Sequence, residues 1–154
     1  MSQVRAVAAA HIHAPVKQVT DALADYATVR PEILPANYSD YAVRTGGVGA
    51  GTVVHWKLAA TEKRIRDCEI TVTSPEEGVL VESDANSSMV TTYTVVASDD
   101  GHASIVVETV WNGAGGIGGF FERTFAPRAL VKIYDETLAK LAARVQTDDS
   151  LEQD

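Results

Sequence analysis

Gly113-Ala114-Gly115-Gly116-Ile117-Gly118 has the spacing G-x-G-x-x-G, after a strand-like run and before a helix-like one. In a dinucleotide site such a run brings the backbone close to a pyrophosphate at a helix N-terminus. The cofactor then lies across a βαβ unit, with an acidic residue at the tip of the second strand. Nothing strand-like follows here, and Asp135 falls inside the helical stretch. The glycines are therefore read as a hinge, since residues without a Cβ take many backbone angles. No nucleotide and no other cofactor is expected. His11 and His13 stand two apart on one strand face, as two metal ligands can. No third ligand is identifiable from the sequence, and Cys68 has no evident partner. Both histidines are read as exposed polar residues of an outer face, and no metal is expected. His55, between Val54 and Trp56, should also point outward.

No serine sits in a strand-to-helix G-x-S-x-G elbow. Acid–base chemistry would need polar groups whose burial shifts their pKa. Arg64, Arg66, Glu82 and Tyr134 are the conceivable ones. Arg64 and Arg66 share a strand face with Cys68, Ile70 and Val72. If that face is the inner one, a buried arginine would select a carbonyl or carboxylate oxygen. The alternative is two arginines at a strand end reaching solvent. Tyr134 lies on an apolar helical stripe and would need a partner for its hydroxyl. Trp56, Tyr93, Trp111 and Phe120 are candidate cavity walls, or plain core. No catalytic residue is singled out.

These residues are positioned by a chain that reads mostly as strands, closed by one long helix. Over residues 117–146, Phe120, Thr124, Pro127, Val131, Tyr134, Leu138, Leu141 and Val145 fall on one helical stripe, with Lys132, Glu136 and Lys140 opposite. That is an amphipathic helix of roughly 45 Å lying on something apolar. Pro127 would kink it, or mark its start. Phe121 and Phe125 fall off the stripe, as does Ile133. Alternation over residues 4–12 predicts a first strand. Pro15 then opens a helix over 15–25, and a second short one spans 28–34. Strands follow over 41–45, 52–59, 62–73, 79–83, 90–97 and 103–111, with Asp100-Gly101 as a hairpin signal. Short turns between neighbours imply an antiparallel meander. Many inward candidates are Ala, Val and Thr, which favours a hollow interior.

The chain has 154 residues, 45% of them hydrophobic and 22% charged, with a net charge of −8. That suits one domain with a real core. It argues against a broad electrostatic grip on nucleic acid or an anionic membrane, since both need clustered Lys and Arg. The apolar segments are too short for an integral membrane span. No secretory signal is evident, so a cytoplasmic location is expected. A single cysteine allows no intrachain disulfide. Residues 1–146 are read as the domain and 147–154 as an acidic, frayed tail.

With these elements in order, the sequence resembles the START/Bet v 1-like helix-grip superfamily, and within it the bacterial polyketide cyclase/dehydrase-like (SRPBCC) group. The residues that carry the likeness are Ile12-His13-Ala14-Pro15 before the first helix and Leu23-Ala24-Asp25-Tyr26 at its end. Gly47-Val48-Gly49-Ala50-Gly51-Thr52-Val53-Val54 adds to it, as does the glycine run before the terminal helix. Ile33-Leu34 stands near where the group often has a tryptophan. The resemblance implies an α+β fold: a strongly curved seven-stranded antiparallel sheet wrapped around a long C-terminal helix, with two short helices after strand 1. It also implies an apolar cavity between sheet and helix for a lipid, sterol-like or polyketide-like molecule. The expected partner is thus a hydrophobic small molecule, with Trp56, Arg66, Tyr93, Trp111, Phe120 and Tyr134 as its contacts. The alternatives are an aldol-type cyclase/dehydratase, with Tyr134 and an arginine polarising a carbonyl, and a protein-interaction or regulatory module using Phe121, Phe125 and Ile133. The oligomeric state is left open.

Overall fold

In a computed structural model, the structure describes residues 3–61, 64–112 and 126–153. Strand β1 (Gln3–Ile12) leads into helices α1 (Val16–Leu23) and α2 (Val29–Ile33). Strands β2 (Tyr38–Thr45), β3 (Val53–Thr61), β4 (Arg64–Thr73), β5 (Val79–Asp84), β6 (Val90–Ala97) and β7 (Ala103–Asn112) follow, and helix α3 (Ala126–Gln153) closes the order. All seven strands form one antiparallel sheet in the order β1-β7-β6-β5-β4-β3-β2. The meander is as the turns predict. The first strand crosses over to pair with the last, with Ile12 opposite Ala103 and Val4 opposite Trp111.

Strand alternation sorts the side chains. On β7, Ala103, Ile105, Val107, Thr109 and Trp111 are buried, and Val54, Trp56 and Leu58 are buried on β3. Helix α3 buries Leu130, Ile133, Tyr134, Leu138, Leu141 and Val145 against this inner face. Its closest neighbour in the sheet is β1. The expected stripe is corrected at one place: Ile133 is only 4% exposed, so it belongs to the core and not to a contact patch. A helix resting in a curved sheet is covered over more than one narrow stripe, and positions 130, 133 and 137 turn inward with 134 and 138. Helical backbone continues past Gln146 to Gln153. The described part of α3 begins at Ala126, one residue before Pro127. No described helix is long and apolar enough to cross a membrane.

Two further differences bear on function. The sequence shows no third ligand beside His11 and His13, but the structure places Asp100 and His102 with them. The cause is the β1–β7 pairing, which lays the β6–β7 turn alongside the end of β1. His55 does point outward, with Nδ1 2.8 Å from the Asp40 carbonyl oxygen and Nε2 2.6 Å from Asp67 Oδ1.

Candidate functional site

The chain between α1 and α2 is bent so that one arginine points inward. Asp25 Oδ1 accepts from the backbone N–H groups of Ala27 (3.2 Å) and Thr28 (2.9 Å), a side-chain-closed turn. The glycine-rich turn between β2 and β3 holds this bend from the other side. The Gly47 carbonyl accepts from Tyr26 N–H (2.9 Å) and Ala27 N–H (3.1 Å), and Gly49 N–H donates to the Ala24 carbonyl (2.9 Å). Gly46 makes that approach feasible. Its φ of +72° is in the left-handed region, and a Cβ there would sit 3.0 Å from Thr52 Cα. Arg30 on α2 is thereby fixed with 1% exposure.

Four groups receive its guanidinium. Nη1 donates to Glu82 Oε2 (2.6 Å) and Nη2 to the Leu23 carbonyl (2.7 Å). The guanidinium carbon lies 4.4 Å from the Tyr26 ring centre and 5.1 Å from that of Tyr93, within cation–π range of both. Tyr26 Oη donates to the same Glu82 oxygen at 2.5 Å. Burial alone would lower the Arg30 pKa. The Glu82 carboxylate overrides that and holds the guanidinium above its ordinary range. Burial pushes the phenols of Tyr26 and Tyr93 upward, so both stay protonated. The Arg30 Nε–H is buried with no acceptor among the described residues. A buried donor of this kind is expensive to leave unpaired.

This group forms one end of a cavity of about 20 Å³ between the sheet and α3. That is room for about one water molecule. Trp56, Cys68, Tyr93 and Tyr134 line it together with Arg30 and Glu82. Trp56 is braced by the edge of Tyr38, with ring centres 5.6 Å apart, and by stacking on Tyr41 at 6.0 Å. Burial pushes the Cys68 thiol up to about 12, so the thiolate is absent near neutrality. Burial also pushes Tyr134 up to about 12. Its hydroxyl is hydrogen-bonded to Thr109 Oγ1, which in turn lies 2.7 Å from Thr91 Oγ1. A chain of three hydroxyls thus ties α3 to β7 and β6.

Of the residues singled out from sequence, Trp56, Tyr93 and Tyr134 meet at this cavity, and so does Glu82. Arg66 stands on the inner-face register opposite Leu58 but is half-buried and not part of this wall. Trp111 is buried on the inner face of β7, away from the cavity wall, with its indole N–H unpartnered among the described residues. Phe120 lies outside the described residues, as do the glycine run at 113–118, Phe121 and Phe125. The arginine of the cavity is Arg30, which sequence reasoning did not single out. The only trace was its place on α2 three residues before Ile33, which puts the two on one helical face. The carboxylate that makes its burial tolerable is 52 residues away.

Small residues on the inner face let the helix lie close to the sheet. Ala6 and Ala8 on β1 are 2% and 5% exposed, in the strand that α3 lies against.

A curved antiparallel sheet gripping a C-terminal helix, with a cavity held between them, defines a helix-grip α+β protein. The chain belongs to the family described as polyketide cyclase/dehydrase and lipid transport, whose pattern it matches over residues 3–146. The solution structure of a protein named KanY is 47% identical, over 95% of this chain and 99% of that one, with a TM-score of 0.85. Two more distant structures share the fold at 11% identity. One is the Zhui aromatase/cyclase from Streptomyces sp. R1128, with 94% of each chain covered and a TM-score of 0.73. The other is ginseng major latex-like protein 151 from Panax ginseng, covering 93% of this chain and 97% of that one, with a TM-score of 0.71. No protein of curated function matches the chain in sequence.

Proposed function

We propose that the protein binds a hydrophobic small molecule, lipid-, sterol- or polyketide-like, between its sheet and α3, oriented by an oxygen at the Arg30–Glu82 end. The observation that carries this is the cavity wall itself. Trp56, Leu58, Ile70 and Met89 supply apolar surface, and Arg30, Glu82, Tyr93 and Tyr134 supply a few polar groups. That is the usual division of labour in a ligand pocket. Apolar burial at about 25 cal/mol per Å² would supply affinity, and the unpaired Arg30 Nε–H would supply direction. At about 20 Å³ the cavity admits such a ligand only after side chains in its wall swing aside. Met89 and Leu34 are the flexible apolar ones, so uptake is expected to be slow and accompanied by a conformational change. The test is native mass spectrometry of the protein purified from its own host, with the released molecule identified. A protein that carries nothing and takes up neither lipids nor aromatic polyketides would overturn this reading.

A second reading rests on one arrangement. Tyr134 and Arg30 both line the cavity, and a phenol and a guanidinium on one wall could together polarise a carbonyl for an aldol-type cyclisation or dehydration. Turnover of a linear polyketone by the wild type, abolished in Tyr134→Phe with the fold intact, would establish it. Binding without turnover would leave the first reading alone.

A further inference from the structure

Four side chains outside the cavity converge on the outer surface where β1 ends. His11 Nε2 lies 2.9 Å from Asp100 Oδ2, and His102 Nδ1 lies 3.5 Å from the same oxygen. The imidazole of His13 completes the group, with its ring centre 4.9 Å from that of His11 and 5.1 Å from that of His102. One donor atom from each of His11, His13, Asp100 and His102 falls within 4.8 Å of all the others. Three imidazoles on one tetrahedral ion, bonded at about 2.0–2.1 Å, have ring centres roughly 5 Å apart. Two of the three separations already match. The third, His11 to His102 at 6.1 Å, closes with rotation of exposed side chains.

The surroundings orient these donors. Asp100 Oδ1 accepts from the His102 backbone N–H (3.0 Å) and from Ser98 Oγ (2.8 Å), which turns Oδ2 toward the imidazoles. Ser98 Oγ also lies 3.4 Å from His11 Nδ1. His11 Nε2–H donates to Asp100 Oδ2 here, and a cation would take the place of that proton, with Ser98 Oγ as the outer partner of Nδ1. The His102 Nδ1 is buried and lacks a hydrogen bond among the described residues. The turn that carries Asp100 and His102 is itself fixed by Ser98 N–H to the His102 carbonyl (2.8 Å) and by Gly101 N–H to the Ser98 carbonyl (2.9 Å).

We infer that His11, His13, Asp100 and His102 form a site for a divalent transition-metal cation of the zinc class. Three imidazole nitrogens and one carboxylate oxygen suit zinc, copper or nickel and not magnesium or calcium, which take oxygen ligands. The four protein ligands fill a tetrahedral shell, so the role is structural. The ion staples the end of β1 to the β6–β7 turn, 89 residues away along the chain. It also sits beside α3, because the His13 N–H donates to Gln146 Oε1 at 2.9 Å.

The test is zinc titration of the full chain without a histidine tag, followed by calorimetry and thermal unfolding. One zinc per chain is expected, with Tm raised by about 5–10 °C at a hundredfold excess over Kd. His13→Ala and His102→Ala should each lose the zinc response, and so should Asp100→Asn in large part. His13 is exposed, so its variant will fold even if His102→Ala does not. His55→Ala removes the one histidine outside the cluster and should leave zinc binding unchanged. No binding of zinc by the wild type, undiminished binding by His13→Ala, or an equal response to magnesium would each overturn the assignment.

Discussion

The two sides of the sheet meet the terminal helix in different ways. Along β1 and β7 the inner face carries Val4, Ala6, Ala8, Ile105 and Val107, all buried, and α3 lies against β1. Toward β3, β4 and β5 the inner face carries Trp56, Cys68 and Glu82, and here the cavity sits, roofed by Arg30 from α2. Small side chains let the helix lie close to the sheet. Large and polar ones hold it off, and the gap is closed by a buried ion pair and its tyrosines. One side of the core is therefore ordinary packing, and the other depends on each polar partner being present.

Removing a partner on the polar side should have the largest effect. Glu82→Ala leaves Arg30 charged at 1% exposure with no carboxylate. Breaking one half of such a buried pair costs about 3–5 kcal/mol. The double variant Arg30→Met/Glu82→Leu should recover most of that loss, since well-packed apolar residues can replace a buried pair nearly neutrally. Chemical denaturation of the two variants measures both. Additive losses in the double variant would show that the pair is not the support of this side.

Alkaline pH should loosen the same side next. Burial raises Cys68 from its ordinary 9.0 and Tyr134 from its ordinary 10.0, both to about 12. The unfolded chain releases these protons first. Their contribution to stability is thus fully present below about pH 9, and it is lost as pH rises through 9–10 toward 12. Each group costs about 1.4 kcal/mol per pH unit across its own window. Tyr26 and Tyr93 are raised as well. Tyrosinate absorbance should consequently appear together with unfolding. A stability profile that stays flat to pH 11, or buried phenols titrating near 10 in the folded protein, would contradict this.

The ordinary side was the legible one. Period-2 alternation in β1, β3 and β7, the Asp100-Gly101 turn and the Tyr134–Leu138–Leu141 stripe are local signals, and the sheet and terminal helix follow from them. Trp56, Tyr93 and Tyr134 could be read as inward for the same reason. The Arg30–Glu82 pair could not, because it joins a five-residue helix to a strand 52 residues on and has no local period. The histidine cluster was half-legible: His11 and His13 share a strand, while Asp100 and His102 join them only through the β1–β7 register.

Adding volume should separate the two sides directly. Ala8→Val places two methyl groups between β1 and α3, where overpacking costs about 1–3 kcal/mol. Cys68→Val adds bulk beside a cavity of about 20 Å³, and its cost should stay under about 1 kcal/mol. Equal losses would mean that the side near β1 is no tighter than the side near β4.

The smallest effect tests the boundary between them. Tyr134 lies where α3 passes from the packed side to the cavity, and its hydroxyl ends the chain through Thr109 to Thr91. Tyr134→Phe keeps the ring and removes one hydrogen bond. Thr109 retains Thr91 as a partner, so no buried hydroxyl is orphaned, and the loss should be about 0.5–1.5 kcal/mol. Leu138→Ala, one turn further on and fully within the packed side, should cost about 2–5 kcal/mol without altering ligand uptake. If Tyr134→Phe leaves uptake unchanged while Leu138→Ala reduces it, the ligand enters along β1 and the division drawn here is reversed.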